Sequence, residues 1–147
     1  MKSNFVVQTN FKRILVPMDG SKPSLNGLDN AIEIARACQG SILGIYVISF
    51  VPTEFMPTVV PYRIHQKKDA GIFLEKAKVR AAKRGILFKY VIVYGSPAEE
   101  ILRIARSKKM DLIVVGARGK GRASEIFLGS VSNAILHKSS TPVLIVK

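Results

Sequence analysis

The chain is organised around the stretch Asp111-Leu-Ile-Val-Val-Gly-Ala-Arg-Gly119, which continues to Phe127-Leu-Gly-Ser-Val131. The apolar run from Leu112 to Val115 predicts a buried strand that ends in a glycine loop, and a helix is predicted to open at Gly129-Ser130. Glycine lets a ligand approach the backbone closely because it has no Cβ. Unpaired N–H groups and a partial positive charge at a helix N-terminus hold anions. The stretch therefore predicts a loop that binds phosphate.

Two common phosphate-binding motifs do not match this loop. Gly121 follows Gly116 at the spacing of a P-loop, but the next residues are Arg122 and Ala123, where that motif needs Lys and a hydroxyl residue. The order Gly116, Gly119, Gly121 also differs from the dinucleotide fingerprint G-x-G-x-x-G.

The spacing that is present is Gly116, two residues, Gly119, nine residues, Gly129 and Ser130. This spacing resembles the nucleotide motif of the universal stress protein family, and the resemblance extends from Lys12 to Lys147. The alternative is a glycine-rich turn that only connects a strand to a helix.

Apolar runs and helical periodicities alternate along the whole chain, which predicts the order βαβαβαβαβ and an α/β domain with a parallel sheet. Residues 1–11 are predicted to be a flexible N-terminal extension and residues 12–147 a single domain. The expected strands are 12–18, 41–48, 86–93, 112–115 and 142–146, and the expected helices begin near Pro23, Tyr62, Ser96 and Gly129.

Local signals fix several of these ends. Gly40 is expected to end the first helix as its C′ residue. The run Ser96-Pro97-Ala98-Glu99 is typical of a capping box with Pro at the first helical position. Between them, the Pro-rich connection 49–61 is predicted to pack on a partner subunit, over a ligand or back on its own core.

The resemblance implies more than the pattern does. It implies a five-stranded parallel sheet in the order 3-2-1-4-5 with helices on both faces, a Rossmann-like fold of the adenine nucleotide alpha hydrolase type. The crevice would then lie where strands one and four diverge. It also implies a nucleotide site that holds ATP, AMP or ADP with Mg²⁺ and is built from Pro17, Met18, Asp19, Val47, Gly116, Arg118, Gly119, Gly129, Ser130 and Val131.

Within that site, the resemblance places Asp19 near ribose and phosphates, the backbone of Val47 at adenine, and the glycine loop around ribose and phosphate. Asp19 is the candidate Mg²⁺ ligand, with helix N-cap as its alternative role. Ser130 would donate to phosphate, and Lys120 would add positive charge. Ser49 departs from the family pattern, because an acidic residue often follows strand two in relatives.

Composition narrows the function further. The chain has 147 residues, a formal net charge of +13 and one cysteine, Cys38, so an internal disulfide is excluded. No apolar run approaches the roughly 18 residues of a membrane span, and a cytoplasmic protein is predicted. The segment from Tyr62 to Tyr90 carries nine Lys or Arg against two acidic residues, which is typical either of a solvated helix face or of a surface for nucleic acid or another acidic partner.

Catalysis is not evident in the sequence. No serine has a His or Asp at a recognisable spacing, and Glu125 is the one further carboxylate in the loop that could polarise water. The sequence therefore favours an ATP-binding sensor or switch in the stress response, with a basic interaction module or a slow ATPase as alternatives. A homodimer is expected through strand five, Pro142 to Val146, because an apolar edge strand needs cover.

Overall fold

The computed structural model describes residues 10–50, 56–119 and 128–147, with the backbone alone for 56–60. The described residues form nine elements in strict alternation, as the sequence predicts. They are β1 (Arg13–Pro17), α1 (Lys22–Cys38), β2 (Ser41–Ile48), α2 (Met56–Ala82), β3 (Phe88–Tyr94), α3 (Pro97–Ser107), β4 (Leu112–Gly116), α4 (Ser130–Lys138) and β5 (Val143–Val146).

The five strands form one parallel sheet in the order β3-β2-β1-β4-β5, which confirms the predicted fold. β1 lies at the centre and pairs with β2 from Arg13 against Ser41 to Pro17 against Ile45. On its other side β1 pairs with β4 through Ile14 against Leu112. The direction of winding therefore reverses between β1 and β4.

Alternate residues of the central strands fill two separate cores, one on each face of the sheet. Ile14 and Val16 are fully buried against α1 and α2, while Leu15 is fully buried against α3 and α4. A strand with both faces covered has to be apolar at every position. This explains why the strands read as continuous apolar runs.

The second helix begins earlier than the sequence predicts. α2 starts at Met56 rather than at Tyr62, and Pro61 lies inside it. Proline is expected to end or kink a helix because it lacks an N–H and its ring crowds the preceding turn. Here Pro61 falls little more than one turn from the helix start, so the helix loses one backbone bond and continues. Residues 56–61 of the connection expected over 49–61 are therefore helix, and residues 51–55 of it lie outside the described residues.

Two predicted helix ends differ in detail from the structure. The left-handed residue that follows α1 is Gln39, with φ of 54°, and not Gly40. Gly40 is needed for space, since a Cβ there would lie 2.6 Å from the carbonyl oxygen of Phe11. Ser96 does precede α3, with Pro97 first in the helix, but its side chain makes no capping hydrogen bond, so the capping box was wrong.

No helix in the described part of the chain is long and apolar enough to cross a membrane.

A charged clamp closes the sheet at the end opposite to the predicted site. The Asp111 carboxylate accepts from the backbone N–H of Arg13 at 2.8 Å and from its guanidinium at 3.0 Å. This contact joins the start of β4 to the start of β1. The Arg13 guanidinium holds the pKa of Asp111 below its ordinary value, because these hydrogen bonds favour the ionised carboxyl group.

We expect Asp111→Asn to lower the free energy of unfolding by about 1 kcal/mol at pH 7. The folded state lowers the pKa of Asp111, so the contribution is complete above the ordinary carboxyl pKa of about 3.9 and is lost as the pH falls through the lower folded-state value. Denaturant titrations across this pH range measure the difference in the free energy of unfolding between Asp111→Asn and the unaltered protein. This difference should become smaller in acid. Asp69→Asn, in an exposed pair with His65, is the control with the same charge change. Equal losses in both variants at pH 7 would contradict the clamp.

Candidate functional site

The site lies beyond the carboxyl ends of β1 and β4, where the winding of the sheet reverses. β1 leads into α1 on one face of the sheet, whereas the chain after β4 returns as α4 on the other face. Because the two following segments diverge, a crevice opens between them, and this is where ligands bind in open α/β sheets. The geometry thus agrees with the location that the sequence predicts.

A cavity of about 420 Å³ occupies this crevice. Pockets for small ligands and cofactors are typically about 300–1,000 Å³. All of the predicted site residues line the cavity, namely Pro17, Met18, Asp19, Val47, Gly116, Arg118, Gly119, Gly129, Ser130 and Val131. Sequence reasoning missed the other lining residues, which are Ser24, Ile45, Ser49, Pro97, Ile101, Val115 and Ser132.

The residues that were missed divide into an apolar wall and buried hydroxyls. Ile45, Pro97 and Ile101 come from β2 and the start of α3, and their side chains give one end of the cavity a dry surface. They were predicted as strand, capping and core positions, and their periodicity alone does not distinguish core from cavity wall. Ser24 and Ser132 are the buried hydroxyls, whereas Ser49 is exposed.

Asp19 is a turn residue of the crevice and not the cap of α1. Its Oδ1 accepts from the backbone N–H of Ser21 at 2.9 Å. Ser21 is the N-cap, and its hydroxyl oxygen accepts from the N–H of Ser24 at 3.3 Å. The alternative role predicted for Asp19 was therefore wrong, because the helix begins two residues later than that role requires.

Across the crevice, Asp19 faces the glycine loop directly. A Cβ on Gly119 would lie 2.7 Å from the Oδ2 atom of Asp19. A side chain at this position would displace the carboxylate of Asp19, which follows β1. The contact brings the loops after β1 and β4 to the same point.

Gly116 has a different role from Gly119. A Cβ on Gly116 would lie 2.7 Å from both the carbonyl carbon and the carbonyl oxygen of Pro23. Backbone atoms cannot move aside as a flexible side chain can, so the absence of a side chain at Gly116 allows the first turn of α1 to pack on the end of β4. A substitution at Gly116 would disturb the fold as well as the cavity.

The base of the glycine loop is closed by hydrogen bonds on one carbonyl oxygen. Ala117 O accepts from the N–H of Gly129 at 2.7 Å and from the hydroxyl of Ser132 at 2.7 Å. Ser132 is 2% exposed, and its hydroxyl also lies 3.0 Å from the carbonyl oxygen of Gly129. These contacts fix the position at which α4 begins.

The start of α4 lines the cavity with backbone and with one hydroxyl group. Gly129 is the N-cap, and no side chain caps the helix there. The first N–H groups of a helix have no partner within it, and they carry partial positive charge. Ser130, the exposed first residue of the helix, places a hydroxyl beside them.

A metal ion would find few ligands of its own in the described residues. No group of three or more His, Cys, Asp or Glu side chains is assembled within the ranges 10–50, 56–119 and 128–147. Asp19 is the carboxylate that lines the cavity there. Lys120 and Glu125, which the sequence singled out, lie outside the described residues.

Comparison with known families gives one match over nearly the whole chain. The model of the universal stress protein family matches residues 10–147. The universal stress protein YxiE of Bacillus subtilis is 36% identical over 150 residues, which cover 93% of this chain and 99% of that protein.

Solved structures with the same fold include two that are at least 25% identical in sequence. The structure of MJ0577 from Methanocaldococcus jannaschii superimposes with a TM-score of 0.87 at 30% identity, covering 94% of this chain and 96% of the other. A universal stress protein solved in complex with cAMP has a TM-score of 0.69 at 27% identity, covering 94% and 98%.

The two serines at the start of α4 give a matched pair of variants. We expect Ser132→Ala to lower the free energy of unfolding by about 1 kcal/mol, because the variant lacks the buried hydroxyl that donates a hydrogen bond to Ala117 O. Ser130→Ala, at an exposed position, should leave stability unchanged. Denaturant unfolding of both variants measures this difference, and equal stability of the two would contradict the role of Ser132 in closing the loop.

Proposed function

The chain belongs to the universal stress protein family, and we propose that it binds an adenine nucleotide in the crevice between β1 and β4 and acts as a cytoplasmic, nucleotide-dependent sensor or switch in the stress response. ATP with Mg²⁺ is the proposed ligand, with AMP and ADP as the related alternatives.

One observation carries the proposal, namely that a single cavity joins an apolar wall to an uncapped helix start. Ile45, Pro97 and Ile101 suit the flat apolar faces of a purine, and Val47 lies beside them with its backbone at the end of β2. The N-terminus of α4 and Ser130 suit phosphate. An adenine nucleotide has both chemical parts, joined by a ribose.

Asp19 links the nucleotide to the metal in this proposal. One carboxylate oxygen holds the turn before α1 through the N–H of Ser21, and the other faces Gly119. The second oxygen is therefore directed at the loop where phosphate would lie. Mg²⁺ binds carboxylate, phosphate oxygens and water rather than a full cage of protein ligands, so Asp19 alone fits a metal that arrives with the nucleotide.

A related structure supports the same ligand class. The universal stress protein that was solved with cAMP shares 27% of its residues with this chain and covers 94% of it. cAMP contains adenine, ribose and one phosphate, which are the parts that the crevice suits here. Relatives of this family therefore support adenine nucleotide binding, and the choice of ATP rests on the resemblance of the glycine spacing.

Gly129→Val is the sharpest test of the phosphate end. A Cβ at Gly129 would lie 3.3 Å from the Cα of Arg118 and 3.4 Å from Ala117 O, and the φ of −63° suits any residue. The fold should survive with a small shift, while the branched side chain blocks phosphate at the helix start. We expect Mg-ATP binding, measured by calorimetry, to fall below detection.

Gly71→Val is the matched control, because a Cβ at Gly71 on α2 meets no atom within 4 Å. It should bind Mg-ATP as the unaltered protein does. Thermal melting shows whether Gly129→Val is folded. Unchanged ATP affinity in a folded Gly129→Val protein would remove the phosphate site from the start of α4.

We also propose a homodimer through the outer edge of β5. Ile113 N donates to Pro142 O at 2.9 Å and Ala117 N donates to Val146 O at 2.7 Å, so alternate residues of β5 bond to β4. Val143 and Ile145 between them therefore direct their backbone groups to the outer edge. An apolar edge with such groups favours pairing with a second copy about a twofold axis.

Leu144→Lys tests this interface. Leu144 is 36% exposed in the single chain, so lysine is compatible with the folded monomer, whereas a charge on the edge strand opposes pairing. Light scattering should give a dimer for the unaltered protein and a monomer for Leu144→Lys. Leu87→Lys, at a 62% exposed position before β3, should remain dimeric. A monomeric unaltered protein would refute the dimer, and a dimeric Leu144→Lys protein would place the interface elsewhere.

A further inference from the structure

A second groove opens beside the crevice, at the carboxyl end of β3. It has a volume of about 610 Å³ and lies between the first described turns of α2 and the last residue of β3. Its lining residues are Arg63, Ile64, Lys67, Lys68 and Tyr94. The proposed nucleotide site uses none of them.

Two aromatic side chains lie near one cation at this groove. The guanidinium carbon of Arg63 lies 5.9 Å from the ring centre of Phe50 and 6.0 Å from that of Tyr94. These distances are at the limit of cation–π contact. Phe50 is 68% exposed and Tyr94 is 38% exposed, so the rings keep open surface. Flat apolar surface is thereby held next to positive charge.

Arg63 is also incompletely satisfied. Its Nε atom is buried and has no hydrogen-bond partner among the described residues. A buried donor without a partner costs free energy. An anionic group in the groove would give the guanidinium an acceptor that the described protein atoms do not supply.

The charge along the first part of α2 is mostly positive. Lys67 and Lys68 are exposed one turn after Arg63. From Met56 to Leu74 the only acidic residue is Asp69, whose carboxylate lies 3.4 Å from the His65 ring. The groove therefore carries three basic side chains, and the one carboxylate of this stretch of α2 is paired with His65.

We propose that this groove binds single-stranded nucleic acid, with phosphates on Arg63, Lys67 and Lys68 and bases stacked on Phe50 and Tyr94. Basic side chains that follow a backbone, together with aromatic side chains that stack on bases, are the features by which proteins bind single strands without sequence preference. An acidic peptide would use the lysines but has no regular supply of flat rings for Phe50 and Tyr94. A duplex keeps its bases stacked inside and cannot use them either.

The experiment measures fluorescence anisotropy of the whole protein with labelled oligouridylate and oligodeoxythymidylate. These probes contain no adenine, so the result is independent of the proposed nucleotide site. Binding of either probe supports the proposal, provided that saturating Mg-ATP does not displace it. Displacement by Mg-ATP would place the strand in the crevice and overturn the proposal, as would failure of both probes to bind.

Paired variants assign the binding to this groove. Lys67→Gln with Lys68→Gln should weaken binding and reduce the slope of log affinity against log salt by about 1.4, since each phosphate contact on a single strand contributes about 0.7. The control pair, Lys76→Gln with Lys83→Gln, removes the same charge at positions on α2 and directly after it. It should change the affinity and the salt slope less than the first pair does. Equal effects of the two pairs would indicate attraction by net charge alone and overturn the proposal.

Stacking is tested by Phe50→Leu, which keeps an apolar side chain and removes the ring. We expect binding to weaken about tenfold. The melting temperature of the protein should not change, because Phe50 is exposed. A Phe50→Leu protein that binds as tightly as the unaltered protein would overturn the proposal. So would tight binding of a duplex of the same length, or displacement of the probe by polyglutamate at an equal concentration of charge.

Discussion

The close approach of α1 to the end of β4 is the contact on which the site depends. A Cβ on Gly116 would lie 2.7 Å from the backbone of Pro23, and a Cβ on Gly27 would lie 3.5 Å from the N atom of Gly116. Gly116 thus lets α1 and β4 pack with backbone against backbone, whereas a Cβ at Gly27 would make only an ordinary van der Waals contact. Because α1 follows β1 directly, this packing also draws the turn at Asp19 towards the loop at Gly119. A bulkier strand end would push the helix away and widen the crevice.

The alternation of strands and helices was predictable from local signals, and the strand order that opens the crevice was predictable from the family resemblance. A strand covered on both faces must be apolar throughout, so β1 and β4 were visible as runs. The glycines at 116, 119 and 129 were visible by their spacing, and each has a different neighbour in the structure. A Cβ would lie 2.7 Å from Pro23 at position 116, 2.7 Å from Asp19 at position 119 and 3.3 Å from Arg118 at position 129. The spacing of the three glycines therefore corresponds to three separate contacts of one loop.

What the sequence did not reveal depends on contacts between distant residues. Ser132 closes the loop through a carbonyl group 15 residues away, and its partner cannot be read from its neighbours. Ser21 caps α1 in place of Asp19 because the turn at Gly20, with φ of 82°, delays the helix start. Pro61 suggested the start of a helix. Leu74 and Ala77 nevertheless pack α2 on the sheet, so the loss of one backbone hydrogen bond at Pro61 is tolerated. In each case packing overrides a local preference.

The end of β2 connects the two proposed binding surfaces. Val47 and Ser49 line the crevice, whereas Phe50 lies at the basic groove, so successive residues of one segment serve different ligands. The N–H of Gly95 donates to Ile48 O at 3.0 Å, which ties this segment to the end of β3 and to Tyr94 beside it. A nucleotide that orders Val47 and Ser49 would therefore also restrict Phe50, and by thermodynamic reciprocity a strand stacked on Phe50 would favour the nucleotide. Such coupling requires no movement of the sheet, because Ser49 in the crevice and Phe50 at the groove are adjacent residues.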